Sequence, residues 1–159
     1  HIDAKSTGDS ATGVSGGIFV QNKLTIHDGA VTANGAESIT VSGKSGRLNQ
    51  AKSVGVELKH LAVNGGSLSA NSKKACDNTS WDDRSYGIWS YDTFNSDDNA
   101  SITISDGSVH ATSGGIAVSA SSLSLNGITA QVSTDMNGTD PIEYTDGANL
   151  EKYKWFSAN

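Results

Sequence analysis

Half of this chain, 80 of 159 residues, is Gly, Ser, Thr, Asn or Asp, while only 35% is hydrophobic, with one Pro, one Cys and one Met. That composition excludes a collagen repeat and an intrachain disulfide, and no apolar run approaches the ~18 residues of a membrane-spanning helix. The net charge of −6 and pI of about 5.0 argue against nucleic acid or an anionic membrane as partner, since Lys and Arg are scattered and Lys73-Lys74 is the only adjacent pair.

In chain order, His1-Ile2-Asp3-Ala4 matches the tail of a repeat, and neither an initiator Met nor a signal-like apolar stretch precedes it, so the chain reads as a fragment that begins in mid-repeat. The first full copy is Leu24-Thr25-Ile26-His27-Asp28-Gly29-Ala30-Val31-Thr32-Ala33. Its frame returns in Leu61-Ala62-Val63-Asn64-Gly65-Gly66-Ser67-Leu68-Ser69-Ala70 and Ile102-Thr103-Ile104-Ser105-Asp106-Gly107-Ser108-Val109-His110-Ala111. A shorter copy follows at Leu123-Ser124-Leu125-Asn126-Gly127-Ile128-Thr129-Ala130. Ahead of each copy lies a short alternating run: Gly17-Ile18-Phe19-Val20, Gly55-Val56-Glu57-Leu58, Gly87-Ile88-Trp89-Ser90 and Gly115-Ile116-Ala117-Val118, with Pro141-Ile142-Glu143-Tyr144 as a closing version. Period-2 alternation makes each a half-buried strand, so the Gly- and Ser-rich composition belongs to folded repeats rather than to a flexible linker. Polar segments of unequal length separate the units, and Ser38-Ile39-Thr40-Val41-Ser42-Gly43 reads as an extra strand inside one of them.

Asp-Gly or Asn-Gly between alternating runs fits two architectures. In a hairpin, Leu24 faces Ala33 and Ile26 faces Val31. In a parallel β-helix the Gly is a corner, and equivalent residues stack from coil to coil. The second reading predicts inward columns Ile18/Val56/Ile88/Ile116/Ile142, Leu24/Leu61/Ile102/Leu123 and Ile2/Val31/Leu68/Val109/Ile128, and a small-residue column Ala4/Ala33/Ala70/Ala111/Ala130. The recurrence of Ala in every copy favours stacking. The expected fold is therefore all-β: a right-handed parallel β-helix of about four to five coils with long inserted loops. Residues 1–159 form one module, and residues 145–159 cap its end through Leu150, Tyr153 and Trp155 or Phe156.

The repeat Gly-Ile-x-Val followed by Leu-Thr-Ile-x-Asp-Gly-x-Val-x-Ala resembles the β-helix repeats of large secreted and cell-surface proteins of Gram-positive-like bacteria. The resemblance covers residues 1–144 and concerns the scaffold. It implies an extracellular or surface-attached setting rich in carbohydrate. The same scaffold resembles that of pectate-lyase-like enzymes and of adhesins, but no catalytic motif of such an enzyme is recognisable.

Chemistry concentrates between Trp81 and Phe94, where five of the ten aromatic residues fall within 14 positions. If Ile88 and Ser90 point inward, Trp89 and Tyr91 point outward. Phe19, Glu57, Trp89, Ala117 and Glu143 then form one outward column. Aromatic rings pack on the apolar face of a pyranose while carboxylates and guanidinium bind its hydroxyls, so the candidate carbohydrate site is Trp81, Asp82, Asp83, Arg84, Tyr86, Trp89, Tyr91, Asp92 and Glu57. The expected role is non-catalytic: binding a polysaccharide or glycan, or contacting a host surface protein. A polysaccharide lyase or glycoside hydrolase, using pairs such as Glu57/Asp92 or Asp82/Asp83, is the alternative, and a spacer without ligand is a second. No cofactor is expected. Asp82-Asp83, Asp92 and Asp97-Asp98-Asn99 are the residues that would hold Ca²⁺ if a metal were bound. The four histidines occupy different slots of the repeat, which argues against a shared metal site. Thr25, Thr103 and Ser124 form an outward hydroxyl column that Ala62 interrupts.

Overall fold

A computed structural model describes residues 2–5, 14–36, 52–73, 85–91 and 99–159. The described chain is all-β, with strands β1 (Ile2–Lys5), β2 (Val14–Ile26), β3 (Ala30–Asn34), β4 (Lys52–Ser72), β5 (Ser85–Ser90), β6 (Ser101–Ser113), β7 (Ile116–Ser119), β8 (Ser122–Leu125), β9 (Ala130–Ser133), β10 (Ile142–Glu143) and β11 (Trp155–Ala158). The only helical turn among these residues is Leu150–Lys152, capped by the Asn149 side chain, which accepts from the Glu151 amide. No described helix is long and apolar enough to cross a membrane.

The repeats pair with one another in parallel, not as hairpins. Leu24 lies beside Leu61, Leu61 beside Ile102 and Ile102 beside Leu123. Val31 stands between Ile2 and Leu68, and Leu68 in turn pairs with Val109. Ala33, Ala70 and Ala111 follow in the same register and are fully buried. Each repeat thus hands its apolar residues to the same face, and the sheet curls around them into one core that includes Val56, Leu58, Leu61, Val63, Leu68, Ile88, Ile102, Ile104 and Val109. Burying each such side chain contributes about 1.5–3 kcal/mol, so short strands from a polar chain suffice.

The glycine corners explain why stacking wins over hairpins. Gly29, Gly66 and Gly107 have φ of 81°, 70° and 85° and lie above one another. A Cβ on Gly66 would sit 2.5 Å from the Gly29 carbonyl oxygen, and one on Gly107 would collide with the Gly66 carbonyl. Asp28 and Asp106 complete their corners by accepting from the amides of Gly29 and Gly107 at 2.6 and 2.7 Å. Polar ladders run beside the core: Asn71 donates to Asn34 at 3.0 Å and accepts from Thr112 at 2.9 Å. The Ser113 hydroxyl, fully buried, joins those of Ser72 and Ser85 at 3.1 and 2.8 Å and accepts from the Gly115 amide.

The sheet is mixed, because its C-terminal part departs from the repeat. β11 inserts antiparallel between β6 and β9, placing Phe156 beside Ala111 and Val132, and Ala158 beside Val109 and Ala130. The columns expected to continue through Ile128 and Ala130 therefore pass into β11 instead. The short last copy reaches the edge of β6 only through β8, which leaves the remaining edge to the C-terminal strand. Ile142 does not extend the inward column either: β10 pairs antiparallel with β9 and leaves Ile142 55% exposed. Within the parallel part, Ile88 pairs with Val118 and Tyr86 with Ile116, a two-residue slide from the expected alignment of Ile88 with Ile116. Leu150, Tyr153 and Phe156 are buried in the main core at this end, while Trp155 is half-buried with its ring edge-on to His110 at 5.6 Å. The expected extra strand at Ser38–Gly43 lies outside the described residues.

Candidate functional site

Strands β2, β4 and β5 lie side by side and present alternate residues outward. Phe19 pairs with Glu57, Glu57 with Trp89 and Trp89 with Ser119, so one outward column crosses the sheet. Ser119 holds the place expected for Ala117, through the same two-residue slide, and Glu143 lies away in β10. One alternation further along, Lys59 follows Glu57, and Tyr91 follows Ser90, whose partner is Leu58; the Tyr91 amide continues the ladder by donating to the Leu58 carbonyl at 2.8 Å. In β2 the register slips between Val20 and Lys23, so Gln21 and Asn22 together oppose Lys59. Such a bulge turns side chains away from the regular pleat, and this one lies at the site.

The aromatic residues of β5 form a stack of three. The rings of Tyr86 and Trp89 lie 5.2 Å apart at 11°, and those of Trp89 and Tyr91 4.8 Å apart at 15°. A strand rises about 3.3 Å per residue, so Tyr86 and Tyr91 reach Trp89 from opposite directions along the chain. Tyr86 is buried with Val54 and Ile116 in a small cluster separate from the main core, Trp89 packs against that cluster, and Tyr91 is 41% exposed. Trp89, one of the expected aromatic contacts, is therefore the middle of a stack, and Tyr91 carries the accessible ring. Glu57 lies between Phe19 and Trp89, with its Oε2 shielded from solvent.

Beside this stack lies a groove of about 330 Å³ lined by Phe19, Val20, Gln21, Glu57, Leu58, Lys59 and Tyr91. Of the nine expected site residues, the structure brings Glu57, Tyr86, Trp89 and Tyr91 together; Trp81, Asp82, Asp83, Arg84 and Asp92 lie outside the described residues. The carboxylate pairs of the hydrolase reading lie there in part, as do all the acidic residues considered for Ca²⁺. Among the described residues no three His, Cys, Asp or Glu side chains gather as a metal site. Phe19, Gln21 and Lys59 are additions to the site. The alternation signals two of them, since Phe19 belongs to the outward column and Lys59 is two residues beyond Glu57, whereas Gln21 lies in a bulge that the pairing of β2 with β4 creates.

A second cleft, about 430 Å³, lies at the C-terminal end between Ser119–Leu123 and Tyr144–Glu151. There burial and the nearby Asp146 charge push the Tyr144 hydroxyl pKa up, and that hydroxyl donates to the Ala148 carbonyl at 3.3 Å. The outward column Thr25, Ala62, Thr103, Ser124 is in register, with Ala62 interrupting the hydroxyls as the sequence indicates.

Comparison with known proteins gives no matching family model, no matching curated protein and no matching solved structure.

Proposed function

We propose that this chain is a non-catalytic carbohydrate-binding module of a secreted or cell-surface bacterial protein, built as a right-handed parallel β-helix closed by its C-terminal segment. The β-helix reading is supported by the parallel registers that join successive repeats and by the glycine corners lying above one another. The setting follows from the resemblance of the repeat to surface-protein repeats. Its partner is a glycan, whether on a polysaccharide or on a host surface.

The observation that carries the binding reading is the half-exposed Tyr91 at the end of a three-ring stack, next to a groove that also holds Phe19, Gln21, Glu57 and Lys59. A preformed ring on a rigid strand offers stacking area at low entropic cost. The carboxylate, ammonium and amide beside it suit hydroxyl groups, which both donate and accept. A stack made only to pack an inserted segment would not require a groove beside its outer ring.

A glycan array with the wild-type chain, Tyr91→Ala and Trp89→Ala tests this. Specific binding to a subset of glycans, weakened by both substitutions, is the expected outcome. Absence of binding favours the spacer, binding indifferent to both substitutions removes the site, and release of reducing or unsaturated sugar moves the chain to the enzyme reading.

A further inference from the structure

Strand β2 repeats the geometry of β5 with two rings missing. In β5 the stacked positions are Tyr86, Trp89 and Tyr91; the register equivalents in β2 are Gly16, Phe19 and, two residues on, Gln21. At the first position Phe19 itself fills the space: a Cβ on Gly16 would lie 2.5 Å from the Phe19 ring atom Cζ. One side of the Phe19 ring is thus set against the Gly16 backbone, while the residue as a whole remains 53% exposed. At the third position, where Tyr91 lies on Trp89, β2 offers only the flexible Gln21, and there the groove opens.

We propose that this groove takes a single neutral pyranose ring stacked on Phe19, in the layer that Tyr91 fills at the end of β5, across the intervening β4. The inference rests on the carbohydrate reading and assigns its contact residue and ligand class. Gln21 in the bulge supplies an amide that donates and accepts, and Lys59 supplies a donor. Neutrality follows from charge. Glu57 and Lys59 follow each other on one face of β4, about 7 Å apart along the strand, so an acidic sugar that approaches Lys59 meets the Glu57 carboxylate as well. The chain's net charge of −6 repels a polyuronate at longer range. A ring with hydroxyls and no charge meets neither penalty.

The test is calorimetric titration with cellotetraose, mannotetraose and chitotetraose as neutral probes and tetragalacturonate as the acidic one. At least one neutral probe is expected to bind more tightly than tetragalacturonate. Phe19→Ala is expected to weaken that binding about tenfold or more, equivalent to about 1.4 kcal/mol. Gln21→Tyr supplies the missing ring and is expected to abolish binding while leaving the far-ultraviolet circular dichroism unchanged. Neutral-probe binding that Phe19→Ala leaves intact, wild-type affinity in Gln21→Tyr, or preference for tetragalacturonate each overturns this inference alone. If no glycan of the array binds, the carbohydrate reading falls and this inference with it.

Discussion

Replacing Gly66 by Ala separates the backbone cost of a corner from the cost of stacking one repeat on another. Gly29 and Gly66 have nearly the same conformation, φ of 81° and 70°, and an L-residue in that region costs about 1–2 kcal/mol at either position. Their surroundings differ. A Cβ on Gly29 meets nothing within 4 Å, whereas on Gly66 it would lie 2.5 Å from the Gly29 carbonyl oxygen, 2.7 Å from the Asp28 carbonyl carbon and 2.9 Å from the Gly29 nitrogen. Those atoms are backbone, tied by the bond from the Ser67 amide to the Gly29 carbonyl at 2.8 Å, so they cannot swing aside as a side chain would. Overpacking of this kind adds about 1–3 kcal/mol. Gly66→Ala is therefore expected to lose about 1–3 kcal/mol more than Gly29→Ala, which for a chain of this length is a further fall in Tm of about 2–12 °C. Urea denaturation followed by circular dichroism measures the difference, with an unchanged m-value indicating the same unfolded surface. Equal losses at the two glycines would refute parallel stacking at the corners, because independent hairpins give both residues the same environment.

Ile102→Ala, inside the stacked column, is expected to cost about 2–5 kcal/mol, whereas Ile142→Ala, exposed on β10, stays within about 0.5 kcal/mol; urea midpoints compare them. Ser113→Ala removes the common partner of Ser72, Ser85 and the Gly115 amide, and a loss of about 2 kcal/mol or more is expected in the same assay; a smaller loss means the hydroxyls find other partners. Burial holds the His110 imidazole below its ordinary pKa, so the folded chain binds that proton less readily than the unfolded one. Its contribution is complete above the unfolded value of about 6.5 and is lost as pH falls through the window beneath it. His110→Gln should flatten the stability profile there, and an identical slope in wild type and variant would exclude His110 as its source.

Much of this arrangement is legible in the residues. The pairing of Leu24, Leu61, Ile102 and Leu123, and of Val31, Leu68 and Val109, follows from counting along the repeat, because copies that pair in parallel register place equivalent residues side by side. The outward placement of Glu57, Trp89 and Tyr91 follows from alternation alone. The role of each ring does not. Trp89 looks like the natural contact for a sugar, yet the neighbours of its ring depend on the rotamers of Tyr86 and Tyr91, which no periodicity specifies. Likewise Phe19 is one apolar residue among many until the missing side chain at Gly16 leaves it lying against the backbone with its groove side open.

What the sequence by itself determined is the all-β character, the repeat frame, the glycine corners and the register of the central repeats, because each depends on residues close in the chain or on exact recurrence of a pattern. The tertiary structure decided the C-terminal end and the groove. Trp155-Phe156-Ser157-Ala158 has the alternation of any short strand, and its antiparallel insertion between β6 and β9 depends on which edge is unpaired once the last, shorter copy has paired through β8. The groove is lined by Gln21 of the bulge and by Phe19, whose ring occupies the space beside Gly16, features that acquire meaning only when β2 pairs with β4 and β4 with β5. Local alternation says which side a residue faces; the open edges and empty spaces left by its neighbours determine what it meets there.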